Sequence, residues 1–223
     1  MKTLLKILAV AFTIGLTASA YAVPTLWITD GTNSVVISDQ GAGDVSSVLG
    51  QVTWTGSIGN WNLNVDTGIT YPALGTLVFP QLDLAFVAGS NGSGGTLWIE
   101  FSADGFGPSS GTSAASIGGT TDGTVAAWTG GGTSNALFDS STVLEDFGTF
   151  GGPSFSGSLI GGVVTNAGPY SLTEVIKITH GGSAITSGDL KLSVPDGGTT
   201  ALLLGLGLLG VGVFARRRKG AKA

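Results

Sequence analysis

The sequence predicts an all-β body, an antiparallel β-sandwich of jelly-roll-like wiring, set between an N-terminal signal peptide and one C-terminal transmembrane helix. Three observations predict this arrangement. Apolar residues in the middle of the chain recur at every second position, the period of a strand with one buried face. Clusters of Gly, Asn, Asp and Ser punctuate these runs, as strand connections require. The cations are segregated: of nine Lys and Arg in 223 residues, seven lie in the first six or last eight positions, beside two long apolar stretches.

Residues 1–22 carry Lys2 and Lys6, an apolar run from Leu4 to Leu16, and then small residues ending in Ala20-Tyr21-Ala22. That order is a Sec-type signal peptide, too short to span a bilayer, with cleavage expected between Ala22 and Val23. The Sec export machinery is therefore an expected partner.

Residues 23–193 form the body. Val52 and Trp54, then Trp61, Leu63 and Val65, then Leu82, Leu84 and Phe86, then Leu97, Ile99 and Phe101 alternate with smaller or polar residues. Tyr170, Leu172, Ile176 and Ile178 share one parity, broken only by Glu174. Connections are expected at Gly41–Gly43, Ser57–Asn60, Asn91–Gly95 and Gly130–Gly132. The count comes to roughly nine to eleven strands, a number that suits a sandwich. The Ser/Thr/Gly-rich stretch from Gly105 to Gly123 is expected to be a long surface loop or a weak edge.

The body holds thirteen acids against Lys177 and Lys191, a net charge of −11 between residues 23 and 194. Nucleic acid is excluded as a partner, because phosphate binding needs clustered cations. With no Cys and one His, disulfides, a Cys nucleophile and a Cys/His zinc site are excluded too. No cofactor motif is present; the Gly92–Gly95 run lacks the Lys of a phosphate loop.

The remaining chemistry is weighed residue by residue. Asp30–Asn33 and Asp39–Asp44 offer oxygens to Ca²⁺, but Asp and Asn beside Gly are ordinary turn formers and neither run has the calcium-loop pattern. Glu145 and Asp146, as strand neighbours, point to opposite faces and make a poor glycosidase pair. Asp83, Glu100 and Asp104 could approach one another in a sheet. His180 is read as a surface or turn histidine, since no G-x-S-x-G elbow accompanies it. Each of Trp27, Trp54, Trp61, Trp98 and Trp128 is read first as core, with stacking on sugar rings of a matrix polysaccharide as the alternative.

The tail begins with Val194-Pro195-Asp196-Gly197-Gly198, a turn-forming break in which proline and the glycines favour an extended, mobile segment. Residues 199–215 carry no charge; as a helix they would reach roughly 25 Å, just short of a bilayer core. Arg216, Arg217, Arg218 and Lys219 follow as a stop-transfer cluster that keeps this end in the cytoplasm and the body outside. These three parts in this order resemble the VPDSG-type variant of the PEP-CTERM sorting signal of Gram-negative bacteria, with Gly197 in the place of Ser. The resemblance implies recognition by an exosortase-type membrane transpeptidase, removal of the helix, and transfer of the body from the inner membrane to the cell envelope, cell surface or extracellular matrix. The expected role is structural or exopolysaccharide-associated and not enzymatic, with a displayed carbohydrate-binding module as the alternative.

Overall fold

Twelve strands form from the alternating runs: β1 (Thr25–Thr29), β2 (Ser34–Ser38), β3 (Gln51–Ile58), β4 (Trp61–Ile69), β5 (Gln81–Ser90), β6 (Gly95–Phe106), β7 (Ser109–Thr121), β8 (Thr124–Gly131), β9 (Val143–Gly151), β10 (Ser154–Asn166), β11 (Tyr170–His180) and β12 (Ala184–Ser193). The structure is a computed structural model and describes residues 22–195. The predicted signal peptide up to Tyr21, and the sorting segment, helix and basic cluster from Asp196 onward, lie outside the described residues.

The strands make two antiparallel sheets of six. Sheet A runs β2-β1-β6-β11-β8-β9 and sheet B runs β10-β7-β12-β5-β4-β3. Consecutive strands from β5 to β8, and again from β9 to β12, cross from one sheet to the other, which is the jelly-roll-like wiring the sequence predicted. Leu82, Leu84, Phe86 and Ala88 of β5 point inward against Leu97, Ile99, Phe101 and Ala103 of β6, all buried. Interdigitation of two such inner faces is the main source of sandwich stability, at about 25 cal/mol per Å² of apolar surface removed from water. The predicted turn at Ser57–Asn60 narrows to Gly59-Asn60, because Ile58 and Trp61 already pair; Gly59 has φ +53°, a left-handed value that glycine tolerates.

The stretch from Gly105 to Gly123 corrects the sequence expectation. It is no loop: β6 continues to Phe106, and β7 is a 13-residue strand paired on both sides, with β10 and β12. The reason is packing. A Cβ on Gly119 would sit 2.1 Å from the Ser187 carbonyl oxygen and 2.6 Å from the Phe155 ring. Small residues in β7 make room for rings carried by neighbouring strands. Likewise Gly130 and Gly131 close β8 and are not a free turn.

Both ends of the body emerge at one pole. The Val23 N–H donates to Asp104 Oδ1 (3.2 Å), and β1 begins where β6 ends, with Thr25 opposite Ser102. At the other end of the chain, β12 finishes with Ser193 opposite Gln81 and Ala114, close to the start of β7. Ala22 and Val194 are both buried in the core, so the folded body extends one residue past each predicted boundary.

Candidate functional site

The outer face of sheet A carries three partly exposed tryptophans. Register lines up Trp27 of β1, Glu100 of β6, Val175 of β11, Trp128 of β8 and Asp146 of β9 in one row across the sheet. The next row holds Trp98, Lys177 and Ala126. Strands lie about 4.8 Å apart, so the row from Trp27 to Trp128 covers roughly 14 Å. Each outward residue is flanked by inward core residues: Leu26 and Ile28 around Trp27, Leu97 and Ile99 around Trp98, Ala127 and the buried Thr129 around Trp128. The same pleat that fills the core thus sets three indoles on the opposite side.

These indoles are half-buried. Trp98 and Trp128 meet edge to face with centroids 5.8 Å apart, bridging β11 and covering Val175, which is fully buried although it points outward. Lys177 Nζ lies 4.8 Å from the Trp98 ring centroid, a cation–π contact. The β8–β9 connection folds over the end of this face nearest the chain termini. Its Phe138 N–H donates to Ser102 Oγ (2.9 Å), and the Phe138 ring stands 6.2 Å from Trp27. Asn135 Oδ1 accepts from the Gly105 N–H (2.7 Å), and the Ser171 hydroxyl donates to the Ala136 carbonyl (2.6 Å). Ser134 and Ser141 donate to Asp139, which holds that carboxyl below its ordinary range. The connection is therefore pinned, and the face is preorganised.

Glu100 sits among the indoles. Burial without a compensating partner among the described residues pushes its carboxyl up to about 7. The face combines aromatic walls, an ammonium and a carboxyl that exchanges its proton near neutrality. A surface of this composition can accept a ligand with apolar C–H faces and hydroxyl edges.

The other predicted residues fall elsewhere. Trp61 is core, 1 % exposed, as its parity with Leu63 implied. Trp54 packs at the β3 edge against the core. The first reading of all five tryptophans as core is thus corrected for Trp27, Trp98 and Trp128. The signal was in the sequence: these three alternate with core residues instead of sharing their parity. Asp83, Glu100 and Asp104 do not converge, because Asp83 pairs with Lys191 on sheet B (3.0 Å) and Asp104 caps Val23.

His180 corrects another reading: it is buried, at 2 % exposure, and not on the surface. Its Nδ1 lies 2.7 Å from Ser90 Oγ, and that hydroxyl donates to the Gly182 carbonyl; Nε2 lies 2.7 Å from Thr186 Oγ1, which meets Thr121 Oγ1 at 2.6 Å. The chain of donors closes for a neutral ring carrying its proton on Nδ1, and burial lowers the imidazole pKa to match. Trp61 covers the ring at 4.7 Å. The cluster is a sealed structural network.

The acidic turns are also self-satisfied. Asp30 accepts from the Thr32 and Asn33 N–H groups, and Asp44 from those of Gln40, Ser46 and Thr53. No group of three or more His, Asp or Glu converges on a cation position among the described residues. Glu145 turns inward to accept from Ser113 and Thr129, both at 2.5 Å, while its neighbour Asp146 faces solvent, the opposite-face geometry expected. Glu174, the parity break in β11, is fully buried, and neither oxygen has a close hydrogen-bond partner among the described residues. Desolvation first, then Asp83 and Asp189, hold its carboxyl well above the ordinary range.

Comparison with known proteins adds the following. The VPDSG-CTERM motif family matches residues 193–219, so the chain carries that sorting motif; the body has no family assignment. No curated protein sequence matches the chain. Among solved structures, TmCBM61 in complex with beta-1,4-galactotriose overlaps 60 % of this chain and 88 % of its own, at 8 % identity and TM-score 0.32. A mutant of CBM29-2, a family 29 carbohydrate binding module, overlaps 66 % and 86 %, at 14 % identity and TM-score 0.28. The C-terminal CBM6 of LamC from Zobellia galactanivorans overlaps 49 % and 78 %, at 14 % identity and TM-score 0.24. The ligands in those names are properties of those proteins.

Proposed function

We propose that this chain is an exported, surface-sorted protein whose body binds envelope or matrix polysaccharide through the outer face of sheet A. The sorting half rests on the VPDSG-CTERM motif. In this reading the signal peptide is cut between Ala22 and Val23, residues 194–198 present the motif to an exosortase-type transpeptidase, and Arg216–Lys219 stop translocation. The binding half rests on one observation: Trp27, Trp98, Trp128 and Phe138 share one outer face around Glu100 and Lys177. Sugars present apolar C–H faces that stack on aromatic rings, and hydroxyls that pair with a carboxyl or an ammonium. A ligand surface of few polar groups set in aromatic walls meets both needs.

The test is retention of the exported protein on its own envelope polysaccharide in affinity electrophoresis. Retention that is lost in Trp128→Ala supports binding through this face. Equal migration with and without polysaccharide leaves a structural role for the body and removes the binding half.

A further inference from the structure

Two sheets of six strands leave four edges: β2 and β9 on sheet A, β10 and β3 on sheet B. An edge strand presents backbone N–H and C=O groups on one side, and folded proteins guard such edges by shortness, charge, bulges or cover. Three of the four are guarded here. β2 has only five residues. β9 turns Asp146 to solvent and pairs with β8 through two register breaks. β3 is covered by the turn before it: the Thr53 N–H donates to Asp44 Oδ1 (2.9 Å), and the Thr53 carbonyl accepts from the Val45 N–H (2.9 Å).

β10 is different. Its thirteen residues pair with β7 alone among the described residues. No Asp, Glu, Lys, Arg or Pro occurs from Ser154 to Asn166, and no charged residue from Phe147 to Thr173. Leu159, Ile160 and Val163 are 37, 77 and 69 % exposed. β9 packs beneath β10, with the Phe147 ring against Gly157, but belongs to the other sheet. A bulge separates Ile160 from Val163; its two residues are glycines, so it interrupts the edge without placing a side chain over it.

We propose that β10 is a self-association edge, where two copies of this chain pair β10 to β10 antiparallel and join their B sheets into one. Charge selects a second copy as the partner. Bodies of net charge −11 repel one another, and the uncharged stretch around β10 is where two of them approach at least cost. Geometry agrees. Antiparallel pairing of identical strands is related by a twofold axis, so every contact is made twice. Ile160 is the midpoint of β10, and full overlap sets it against the partner's Ile160, covering apolar surface on both. Thirteen residues at about 3.3 Å each make a seam about 43 Å long, and about 10 Å of height gives roughly 900 Å² buried in all. Stable complexes bury about 1,200 Å² or more, so this dimer forms at high concentration and dissociates on dilution. The seam leaves the outer indoles of sheet A open, so it stands or falls separately from the polysaccharide reading.

Sedimentation of the exported protein over a series of rising concentrations tests the pairing. A monomer–dimer equilibrium is expected. Ile160→Lys with Val163→Lys should raise its dissociation constant about tenfold or more, because like charges then face each other across the seam. Both side chains are exposed, so the variant should keep the melting point of the parent. Hydrogen exchange of the parent protein gives a second reading that needs no variant. The β10 amides that face away from β7 should slow as concentration rises, while β7 amides do not change. A monomer at every concentration overturns the proposal. So does a dimer that the two lysines leave intact, or one that forms without slowing any β10 amide.

Discussion

The two outer faces of this sandwich share one backbone geometry and differ in nearly everything else. Sheet A turns out Trp27, Trp98 and Trp128 around Glu100 and Lys177. Sheet B turns out Ala114, Ser116, Gly118 and Thr120 on β7, Ser154, Ser156 and Ser158 on β10, and Ser187 on β12. Among the described side chains, its charged cluster is Lys191 with Asp83 and Asp189 (3.0 and 3.6 Å), an exposed arrangement of small energetic worth. Sheet B holds a depression of about 330 Å³, lined in part by Ala114, Ser116 and Ser158. The hollow and the aromatic rows lie on opposite faces. Small side chains of β7 and β10 line the hollow, whereas the indoles of sheet A fill no core and remain half in water. Large apolar surface retained at the solvent boundary is the more informative sign.

The largest expected effect tests that contrast directly. Replacing Trp98 and Trp128 together by Ala should weaken polysaccharide binding about 100-fold or more, since truncating an aromatic anchor costs about 2 kcal/mol. Ser116→Ala with Ser158→Ala on sheet B should change it less than about twofold. Equal losses on both faces in affinity electrophoresis would erase the distinction.

Next comes the packing role assigned to sheet B. Gly119→Ala should lower stability by about 1–3 kcal/mol, because the new methyl meets the Ser187 carbonyl and the Phe155 ring. Gly118→Ala, with its nearest neighbour 3.9 Å away, should be nearly neutral. Thermal melting of the pair checks this; equal melting points would contradict it.

Glu174 lies between the faces and gives an effect of similar size with the opposite sign. Its folded pKa is raised above the ordinary 4.5, so its contribution is fully present below that value and is lost as pH rises toward the folded pKa. Glu174→Leu removes an unsatisfied buried acid and should raise stability by about 1–3 kcal/mol near neutral pH. The advantage should shrink on acidification, and a gain independent of pH would show that ionisation is not involved.

The smallest effect concerns Glu100. Its carboxyl changes charge near pH 7, so ligand affinity should vary by a few-fold between pH 6 and pH 8, and that variation should vanish in Glu100→Gln. By the same sign rule, Glu100 favours the folded state below 4.5 and loses that contribution as pH passes about 7.

Much of this was legible in the sequence because strand period depends on local chemistry. The runs through Leu82–Phe86 and Leu97–Phe101 became β5 and β6 with the expected faces inward. β7 was not legible. Its Ser, Gly and Ala have turn-like composition, and only the Phe155 ring on β10 and the close β12 backbone explain why Gly119 belongs there. His180 was misread for a similar reason: its partners Ser90 and Thr186 come from two other strands, β5 and β12. The aromatic face was legible in principle, since Trp27, Trp98 and Trp128 each stand between core residues. Its assembly across β1, β6, β11 and β8 required the register.

The five tryptophans themselves supply the most direct measurement of the central claim. Nuclear magnetic resonance of the exported protein, titrated with its own envelope polysaccharide, reads each indole N–H separately. The indoles of Trp27, Trp98 and Trp128 should shift together with the ligand, while those of Trp61 in the core and Trp54 at the β3 edge stay in place. Shifts confined to residues of sheet B, or bound polysaccharide that leaves all three outer indoles unmoved, would contradict the account.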